Sequence, residues 1–260
     1  MKIPIYQVDA FANDLFSGNP AAVVFPESQI SSETMQAIAA ENNLAETAFV
    51  MSDGGEYRIR WFTPTIEVDL CGHATLAAAH VLFNHLDYRG DTVSFSSNSG
   101  PLHVRKDGEV LYLNFPADKP HQVEPPEGMV NGLGVEPTEV HRGRDDFLAI
   151  LDNEDAVASL SPDMSILCTI QSRGVIASSP GSEVDFVSRF FAPQSGVPED
   201  PVTGSAHTIL IPYWSRKLGK KNLKARQISK RSGELLCKNL DDRVEIGGRA
   251  VTYLIGEIIL

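Results

Sequence analysis

The chain has 260 residues, a formal net charge of −12 and a hydrophobic fraction of 42%, which is typical of an acidic globular protein. Its 22 basic residues are too few for the broad basic face that nucleic acid requires, so nucleic-acid binding is excluded. Neither a signal peptide at the start nor an uninterrupted run of about 18 apolar residues occurs. We therefore expect a soluble, cytoplasmic protein that does not contact membranes.

The cysteines argue against disulfides and against a metal site. There are three, Cys71, Cys168 and Cys237, which is an odd number at wide spacing. No Cys-x-x-Cys or His-x-x-x-His pattern indicates a ligand set. The sequence predicts a protein of a reducing compartment with no metal.

In chain order, the first half alternates short β-prone runs with two helices. The predicted strands are residues 3–8, 21–25, 47–51, 57–62, 92–95 and 111–115. Ser31 or Ser32 caps a predicted helix that ends near Asn43. A second helix, residues 74–83, is apolar nearly all round, so we expect it to be buried on most faces.

The second half repeats this plan after a proline-rich stretch. Residues 116–128 hold four prolines and no periodicity, which is typical of a linker. Helices are predicted near Met164 and at 205–218, and strands at 147–151, 174–178, 184–191, near 235 and 244, and at 252–260. The predicted domains are 1–116 and 129–260, joined by 117–128; the alternative, in which the last strand returns to the first domain, stays open. Because helices do not alternate regularly with strands, we predict an α+β fold of two similar domains, each a barrel-like, mostly antiparallel sheet around one buried helix.

A repeated pattern supports the duplication. Arg60-Trp61-Phe62-Thr63-Pro64 recurs as Arg189-Phe190-Phe191-Ala192-Pro193 at an offset of 129 residues, and Gly72-His73-Ala74 recurs as Gly204-Ser205-Ala206 at an offset of 132. Two similar domains create a cleft between them, which is a common place for a small-molecule site. Each glycine turn enters the N-terminus of a predicted buried helix, where unpaired backbone N–H groups and the helix dipole attract anions. The pair of turns therefore predicts a site for a small carboxylate.

Three side chains are candidates for acid–base chemistry. Glu46 lies in an apolar run, and partial burial would raise its pKa towards neutrality, although an exposed edge glutamate fits the segment equally well. His73 can exchange a proton near pH 7, although an isolated histidine is often structural. Asp200 precedes the second glycine turn and either caps it or orients a substrate.

Cys71 is a candidate thiol base, because a helix N-terminus lowers the pKa of a cysteine. A two-base racemase needs a matching thiol in the second half, and the corresponding residue is Thr203, which is too weakly acidic. The symmetric two-thiol mechanism is therefore excluded, and a small buried structural cysteine is the simpler interpretation.

Four motifs resemble one family, the phenazine-biosynthesis (PhzF) proteins, over nearly the whole chain. They are Gly18-Asn19-Pro20, Asn43-Leu44-Ala45-Glu46-Thr47-Ala48-Phe49, the block from Phe62-Thr63-Pro64 to Gly72-His73-Ala74-Thr75, and Glu199-Asp200-Pro201-Val202-Thr203-Gly204-Ser205-Ala206-His207. The resemblance implies the diaminopimelate-epimerase-like fold, a homodimer, and isomerases that use no cofactor. Their type reaction moves a proton between carbons of dihydro-3-hydroxyanthranilate, with the glutamate of the Asn-Leu-x-Glu motif as the proton carrier.

Transferred motif by motif, the resemblance implies a site. The implied catalytic residues are Glu46, His73 and Asp200. The implied substrate-binding residues are Asn19, Cys71, Gly72, Thr203, Gly204 and Ser205. The chain departs from the phenazine enzyme at Cys71, where it is similar to the Cys-Gly-His turn of proline racemases, and this leaves the substrate open.

The sequence therefore predicts a cofactor-independent isomerase of a small carboxylate, with Glu46 as the base. Two alternatives stay open. One is a racemase, epimerase or dehydratase of a cyclic amino acid that uses Cys71 as its single base. The other is a metabolite-binding protein without catalysis, in which Glu46 points to solvent or to a salt bridge rather than into the cleft with His73 and Asp200.

Overall fold

The computed structural model describes residues 1–53 and 56–260, and within them the chain forms eighteen strands and six α-helices. The strands, numbered along the chain, are β1 Lys2–Ala10, β2 Asn19–Val24, β3 Glu46–Asp53, β4 Glu56–Phe62, β5 Glu67–Val68, β6 Thr92–Ser97, β7 Gly100–Asp107, β8 Val110–Pro116, β9 His121–Gln122, β10 Glu139–Arg142, β11 Asp146–Ile150, β12 Gly174–Pro180, β13 Phe186–Ala192, β14 Val197–Asp200, β15 Asn222–Gln227, β16 Gly233–Asn239, β17 Arg243–Gly248 and β18 Ala250–Ile259. The helices are α1 Ser32–Asn42, α2 Gly72–His85, α3 Met129–Leu133, α4 Glu154–Ala158, α5 Met164–Leu167 and α6 Gly204–Leu218. Many strands with few helices confirm the predicted α+β class. No helix in the described part of the chain is long and apolar enough to cross a membrane.

The chain divides into two compact units. The first unit comprises Met1–Asn114 together with Gly247–Leu260, and the second comprises Phe115–Ile246. The C-terminal strand β18 therefore belongs to the same unit as β1, with which it pairs in antiparallel register from Lys2 opposite Ile259 to Ala10 opposite Ala250.

In the first unit, a mixed sheet packs against α2. Antiparallel pairs join β1 to β2, β3 to β4, β6 to β7 and β7 to β8, whereas β2–β3 and β4–β6 are parallel. The helix contacts β1, β2 and β3, and nine of its residues are buried. Its apolar surface is thus covered on most sides, as the sequence predicts, and this burial supplies most of its stability.

The second unit repeats the same order of strand directions. The pairs β10–β11, β12–β13 and β15–β16 are antiparallel, and β11–β12 and β13–β15 are parallel. Helix α6 follows β14, as α2 follows β5, and it contacts β11, β15 and β16. The duplication seen in the sequence is therefore also a duplication of topology.

The repeated pentapeptide makes the same ion pair in both units. Arg60 donates through Nε and Nη2 to the two carboxylate oxygens of Glu67, at 2.7 Å each. Arg189 makes the equivalent fork to Glu199, at 2.7 and 2.9 Å. Each guanidinium also lies over the phenylalanine two residues later, 5.1 and 5.0 Å from the ring centre. The arginine of the pattern thus ties β4 to β5, and β13 to β14, just before each glycine turn.

Candidate active site

Two neighbouring parallel strands, β2 and β3, begin at the same edge of the sheet in the first unit. Asn19 is the first residue of β2 and Glu46 the first of β3, and the parallel register places Ala21 opposite Glu46. Gly18 precedes Asn19 with a φ of 65°, and a Cβ there would lie 2.2 Å from the carbonyl oxygen of Ala10. Only glycine fits this turn, and the turn places Asn19 at the first position of β2.

Helix α2 begins at the same place. Its N-cap residue is Cys71, whose side chain does not cap the helix by a hydrogen bond, and its first turn carries His73. The hydroxyl of Thr75 donates to the Cys71 carbonyl at 2.5 Å, which holds the turn. Both Cys71 and His73 are buried. The N-terminus of the buried helix α2 therefore places the Cys71 thiol and the His73 imidazole at the strand edge that carries Glu46.

His73 lies between the other side chains. Its Nε2 is 3.1 Å from Oε2 of Glu46, and its Nδ1 is 3.5 Å from Sγ of Cys71 and 3.3 Å from Nδ2 of Asn19. The His73 side chain is 6% exposed and that of Glu46 is 20% exposed, so the carboxylate is the member that reaches solvent. The structure therefore brings together the four predicted site residues that carry polar side chains in this unit.

The charges in this cluster follow from burial and from the partners. Burial alone would lower the pKa of His73, but the sulfur of Cys71 and the carboxylate of Glu46 raise that pKa well above its ordinary value. Burial alone would raise the pKa of Glu46, but His73 outweighs it and the net pKa is lowered. Burial, followed by the nearby Glu46, raises the pKa of the Cys71 thiol. The contact between Glu46 and His73 therefore favours the charged form of each partner.

This result corrects one expectation. The apolar neighbours of Glu46 along the chain predict a raised pKa, and that prediction is wrong because His73, contributed by another element, supplies the opposite charge. Within the described residues, neither Oε2 of Glu46 nor Nε2 of His73 has an aligned hydrogen-bond partner, although the two atoms are close enough for an ion pair. Both atoms therefore keep hydrogen-bonding capacity.

The second unit assembles its own set around the N-terminus of α6. Thr203, the N-cap, donates through Oγ1 to Oδ2 of Asp200 at 2.5 Å. The buried Gln227 accepts from the Thr203 backbone N–H at 2.9 Å and donates to the Asp200 carbonyl at 2.8 Å. Ser205, in the first turn, accepts a hydrogen bond from Nη1 of Arg173 at 2.8 Å. Asp200, Thr203 and Ser205 are thus held at one helix end.

Arg173 is a site candidate that the sequence did not reveal. It stands between Ser172 and Gly174 with no motif around it, and its partner Asp146 is 27 residues earlier. Nε of Arg173 donates to Oδ1 of Asp146 at 2.9 Å, and Nη2 contacts Oδ2. The Asp146 side chain is fully buried, and burial raises its pKa against the opposing effect of the guanidinium. A fixed positive charge therefore stands beside Ser205.

The predicted residues fall into two groups. The first unit holds Asn19, Glu46, Cys71, Gly72 and His73. The second unit holds Asp200, Thr203, Gly204 and Ser205. In the first group, the carboxylate, thiol and imidazole donors lie within 4.8 Å of one another. These are also donor types that bind transition metals.

Comparison with known proteins shows the family. The phenazine biosynthesis-like protein family, PhzC-PhzF, matches residues 8–256. A Pseudomonas aeruginosa protein named an uncharacterized isomerase is 50% identical, with 100% of both chains covered. The crystal structure of a phenazine biosynthesis protein of the PhzF family from Enterococcus faecalis is 47% identical, covers 100% of both chains and has a TM-score of 0.98.

A more distant structure shows the extent of the fold. A probable proline racemase from Agrobacterium radiobacter is 10% identical, with 99% of this chain and 93% of that chain covered and a TM-score of 0.63. The predicted diaminopimelate-epimerase-like fold is confirmed, and so is the prediction of an isomerase. The family match, the identities and the structural similarity agree over the whole chain, and the chain therefore belongs to the PhzC-PhzF family of phenazine biosynthesis-like proteins.

Proposed function

We propose that this isomerase moves a proton on a small carboxylate substrate without a cofactor, and that Glu46 carries the proton. The observation that carries the proposal is the contact of 3.1 Å between Glu46 and the buried His73 at the N-terminus of α2. A carboxylate that is ionised, shielded and still partly accessible can act as a general base. An imidazolium beside it can stabilise the negative charge that develops on the substrate.

In the proposed cycle, the Glu46 carboxylate removes a proton from the carbon next to an activated group, and the electron pair of the C–H bond moves onto the substrate. The substrate becomes an enolate-like anion and Glu46 becomes neutral. His73 then donates its hydrogen bond to the new anion, because its former counterion has lost its charge. Glu46 returns the proton at the same carbon or at a conjugated one, so no atom or electron is left over.

We infer that each glycine turn can attract a carboxylate at the start of its own helix. The N-cap residues are Cys71 in α2 and Thr203 in α6. Neither side chain forms a capping hydrogen bond with the first turn of its own helix. Helix starts of this kind attract carboxylates through backbone N–H groups and the helix dipole. In the second unit, Arg173 adds a fixed cation beside Ser205, and a guanidinium suits a carboxylate in geometry as well as in charge.

The test is proton exchange with solvent. Candidate small carboxylates are incubated in D2O with wild type, with Glu46→Gln and with Glu41→Gln, whose exposed glutamate in α1 is the matched control. A positioned general base contributes roughly 10²- to 10⁴-fold, so we expect Glu46→Gln to slow deuterium incorporation by that factor and Glu41→Gln to leave it unchanged. Equal exchange in all three proteins would show that Glu46 is not the base.

Two other functions were open in the sequence. A thiol-base enzyme predicts that Cys71→Ala abolishes turnover, whereas the present proposal predicts that most activity survives. The raised pKa of Cys71 works against a thiolate base. A binding protein without catalysis predicts that no substrate of the panel exchanges its proton, and the pairing of Glu46 with His73 rather than with a surface cation works against it.

We also propose that the protein is a homodimer. On β18, three consecutive apolar residues, Tyr253, Leu254 and Ile255, are 48%, 43% and 61% exposed. Adjacent exposed apolar side chains of this kind are typical of a subunit interface. Sedimentation equilibrium should give twice the chain mass, and Ile255→Asp should shift the distribution towards monomer. A wild-type protein that stays monomeric over the whole concentration range would refute the assembly.

A further inference from the structure

In both units, the side chain four residues after the N-cap donates a hydrogen bond to the carbonyl of that N-cap. In α2, the hydroxyl of Thr75 donates to the Cys71 carbonyl at 2.5 Å. In α6, Nδ1 of His207 lies 2.8 Å from the Thr203 carbonyl, and this nitrogen carries a proton because a carbonyl oxygen only accepts. Both side chains are 0% exposed. The two copies of the repeat therefore make the same contact with different side chains.

The carbonyl that accepts this bond belongs to the same peptide group as the N–H of the glycine that begins the helix. In a trans peptide, the C=O and the N–H lie in one plane and point in opposite directions. The Cys71 carbonyl faces into α2, where it also accepts from the Thr75 backbone N–H at 3.2 Å. The Gly72 N–H therefore points out of the helix start, where it has no acceptor within its own helix. A contact that fixes the carbonyl thus also fixes the direction of the N–H.

The same contact makes the glycine N–H a stronger donor. A peptide group whose oxygen accepts a hydrogen bond is polarised, and linked hydrogen bonds strengthen one another by roughly 10–30%. In α6, burial lowers the pKa of His207 to about 4, so at neutral pH the imidazole donates without adding a charge. Each side chain therefore affects the helix start through the peptide group alone.

The histidine is kept at a cost to stability. A hydroxyl that bonds the carbonyl four residues earlier is common in helices, but a buried imidazole in this place is not. With Nδ1 as the donor, Nε2 of His207 is an acceptor, and it is buried with no hydrogen-bond partner among the described residues. A buried polar atom without a partner lowers stability, and an apolar side chain would avoid this loss. The bond from Nδ1 is the feature that accounts for a histidine here.

The surrounding residues hold the rest of the N-cap in α6. The Thr203 backbone N–H donates to Oε1 of Gln227 at 2.9 Å, and the Thr203 hydroxyl donates to Oδ2 of Asp200 at 2.5 Å. With its carbonyl bonded to His207, each polar group of Thr203 has a partner within the second unit. The next donor along the chain is the N–H of Gly204.

Each helix start also carries a second group that suits an anion. In the first turn of α2, His73 is buried, and its Nε2 has no aligned hydrogen-bond partner within residues 1–53 and 56–260. In the first turn of α6, Ser205 accepts from the guanidinium of Arg173. These groups indicate a negatively charged ligand independently of the helix dipole.

We propose that Thr75 and His207 are positioning residues, each for the glycine N–H at the start of its own helix. By holding the N-cap carbonyl, each side chain aims and polarises the N–H of the following glycine for a carboxylate oxygen. This inference rests on the proposed recognition of a carboxylate at the helix starts.

The sequence allows each of the two peptide groups to be observed alone in the full-length protein. The dipeptides Cys-Gly and Thr-Gly each occur once in the chain. Labelling the carbonyl carbon of cysteine or threonine with ¹³C, together with glycine nitrogen as ¹⁵N, therefore gives one NMR correlation for Cys71–Gly72 and one for Thr203–Gly204. Each correlation reports the carbonyl carbon and the amide proton of the peptide group in question.

Pairs of variants separate the hydrogen bond from the shape of the side chain. Thr75→Val removes the hydroxyl and keeps the shape, whereas Thr75→Ser keeps the hydroxyl. His207→Val removes the donor, and His207→Thr has the same shape as that variant but supplies the hydroxyl that the first copy uses. We expect Thr75→Val and His207→Val to move the carbonyl carbon and the amide proton of their own peptide group to lower chemical shift. Thr75→Ser and His207→Thr should reverse this change.

Acetate is the probe for the carboxylate, and chloride at the same ionic strength is its control. In wild type, we expect acetate to move the amide protons of Gly72 and Gly204 to higher chemical shift. A hydrogen bond of ordinary strength corresponds to a factor of about 2–10 in affinity. Thr75→Val and His207→Val should therefore weaken acetate binding at their own helix by about that factor, and Thr75→Ser and His207→Thr should restore it.

The matched control is Thr208→Val, because the Thr208 hydroxyl donates to the Ser205 carbonyl, which lies in a different peptide group of α6. This variant should leave acetate binding at Gly204 unchanged. Circular dichroism establishes that each variant is folded, and the two Thr75 variants decide the question by themselves if His207→Val does not fold.

Two results would overturn the positioning role while leaving carboxylate recognition intact. One is acetate binding to Thr75→Val and His207→Val as tight as to wild type, and the other is an equal loss in Thr208→Val and His207→Val. If acetate moves neither glycine amide proton in wild type, carboxylate recognition at the helix starts fails and the positioning role fails with it. Deuterium exchange in Glu46→Gln still decides the role of the base in that case.

Discussion

Replacing Arg189 with lysine should cost more stability than replacing Arg60 with lysine, although both residues occupy the same place in the repeated pentapeptide. Each arginine makes a two-pronged ion pair with a glutamate. Arg189 also donates through Nη1 to the carbonyl oxygens of Leu160 at 2.8 Å and Val157 at 3.3 Å. For Arg60, Nη1 contacts a methionine sulfur at 3.5 Å, a weak acceptor, and Nη2 also donates to the exposed Ser32 hydroxyl at 2.9 Å.

The structure sets the size of the difference. Lysine keeps the charge and one bond to the carboxylate, but it loses the planar fork. A hydrogen bond that involves a charged group contributes about 1.5–3 kcal/mol, so losing one prong gives roughly 1–2 kcal/mol for Arg60→Lys. Arg189→Lys also removes the donor of the Leu160 carbonyl, whereas the Val157 carbonyl still accepts from the Leu160 backbone N–H, and this brings the cost to about 3 kcal/mol.

The fluorescence of the two tryptophans can measure the stability of each unit separately. Its two tryptophans are Trp61 in the first unit and Trp214 in the second, and both are buried. Urea unfolding is followed by fluorescence in Trp61→Phe and Trp214→Phe backgrounds, so that each unit is observed separately. We expect the larger loss of unfolding free energy for Arg189→Lys. Equal costs, or a larger cost for Arg60→Lys, would refute the reasoning from the carbonyl contacts.

Three further predictions concern stability and use the same urea assay. Asp146→Ala should cost about 1–2 kcal/mol, because it removes the hydrogen bonds of the buried carboxylate while the 38% exposed Arg173 can turn to water; a cost below about 0.5 kcal/mol would contradict this. Gly18→Ala should cost more than about 2 kcal/mol, because alanine is strained at a φ of 65° and its Cβ meets backbone, and an unchanged midpoint would show that the turn adapts. Glu139→Gln should cost about 1–2 kcal/mol at pH 7, because a hydrogen bond from Lys217 helps to lower the pKa of Glu139 to about 2. The stabilisation from a lowered pKa is complete above the unfolded value and is lost as the pH falls to the folded value, so this cost should shrink between about 4.5 and 2. A cost independent of pH would contradict this prediction.

Much of the fold could be predicted because its signals are local. Ser31 caps α1 and accepts from the Thr34 backbone N–H, as its place before the helix predicts. The unbroken apolar character of residues 74–83 predicts a buried helix, and α2 is one. The repeated Arg-aromatic pattern predicts a duplication, but it does not reveal which residues the two arginines contact. The partners Glu67 and Glu199 lie 7 and 10 residues downstream, and no periodicity of a helix or strand singles out those spacings.

The sequence singles out the candidate residues one by one, but it does not show which of them lie together or how they charge one another. Glu46 was identified from its own segment, and its apolar neighbours gave the wrong direction for its pKa. The decisive neighbour, His73, reaches it only because β2 and β3 are parallel and α2 starts at their common edge. Arg173 could not be found at all, since the buried Asp146 that fixes it is close only in the folded chain. Contacts between residues that are distant in sequence cannot be predicted from a single sequence, because they depend on how the strands and helices pack.

The two duplicated strand edges carry charged pairs of different chemistry. In the first unit, the strand edge beside α2 carries the carboxylate–imidazole pair Glu46–His73. In the second unit, the corresponding edge, where β11 and β12 begin, carries the carboxylate–guanidinium pair Asp146–Arg173 beside Ser205 of α6. An imidazole gains and loses a proton near neutral pH, whereas a guanidinium stays charged at any pH a protein encounters. The two units therefore keep a charged pair at the start of the corresponding helix, but only the cation of the first pair is of a type that can lose a proton near neutral pH.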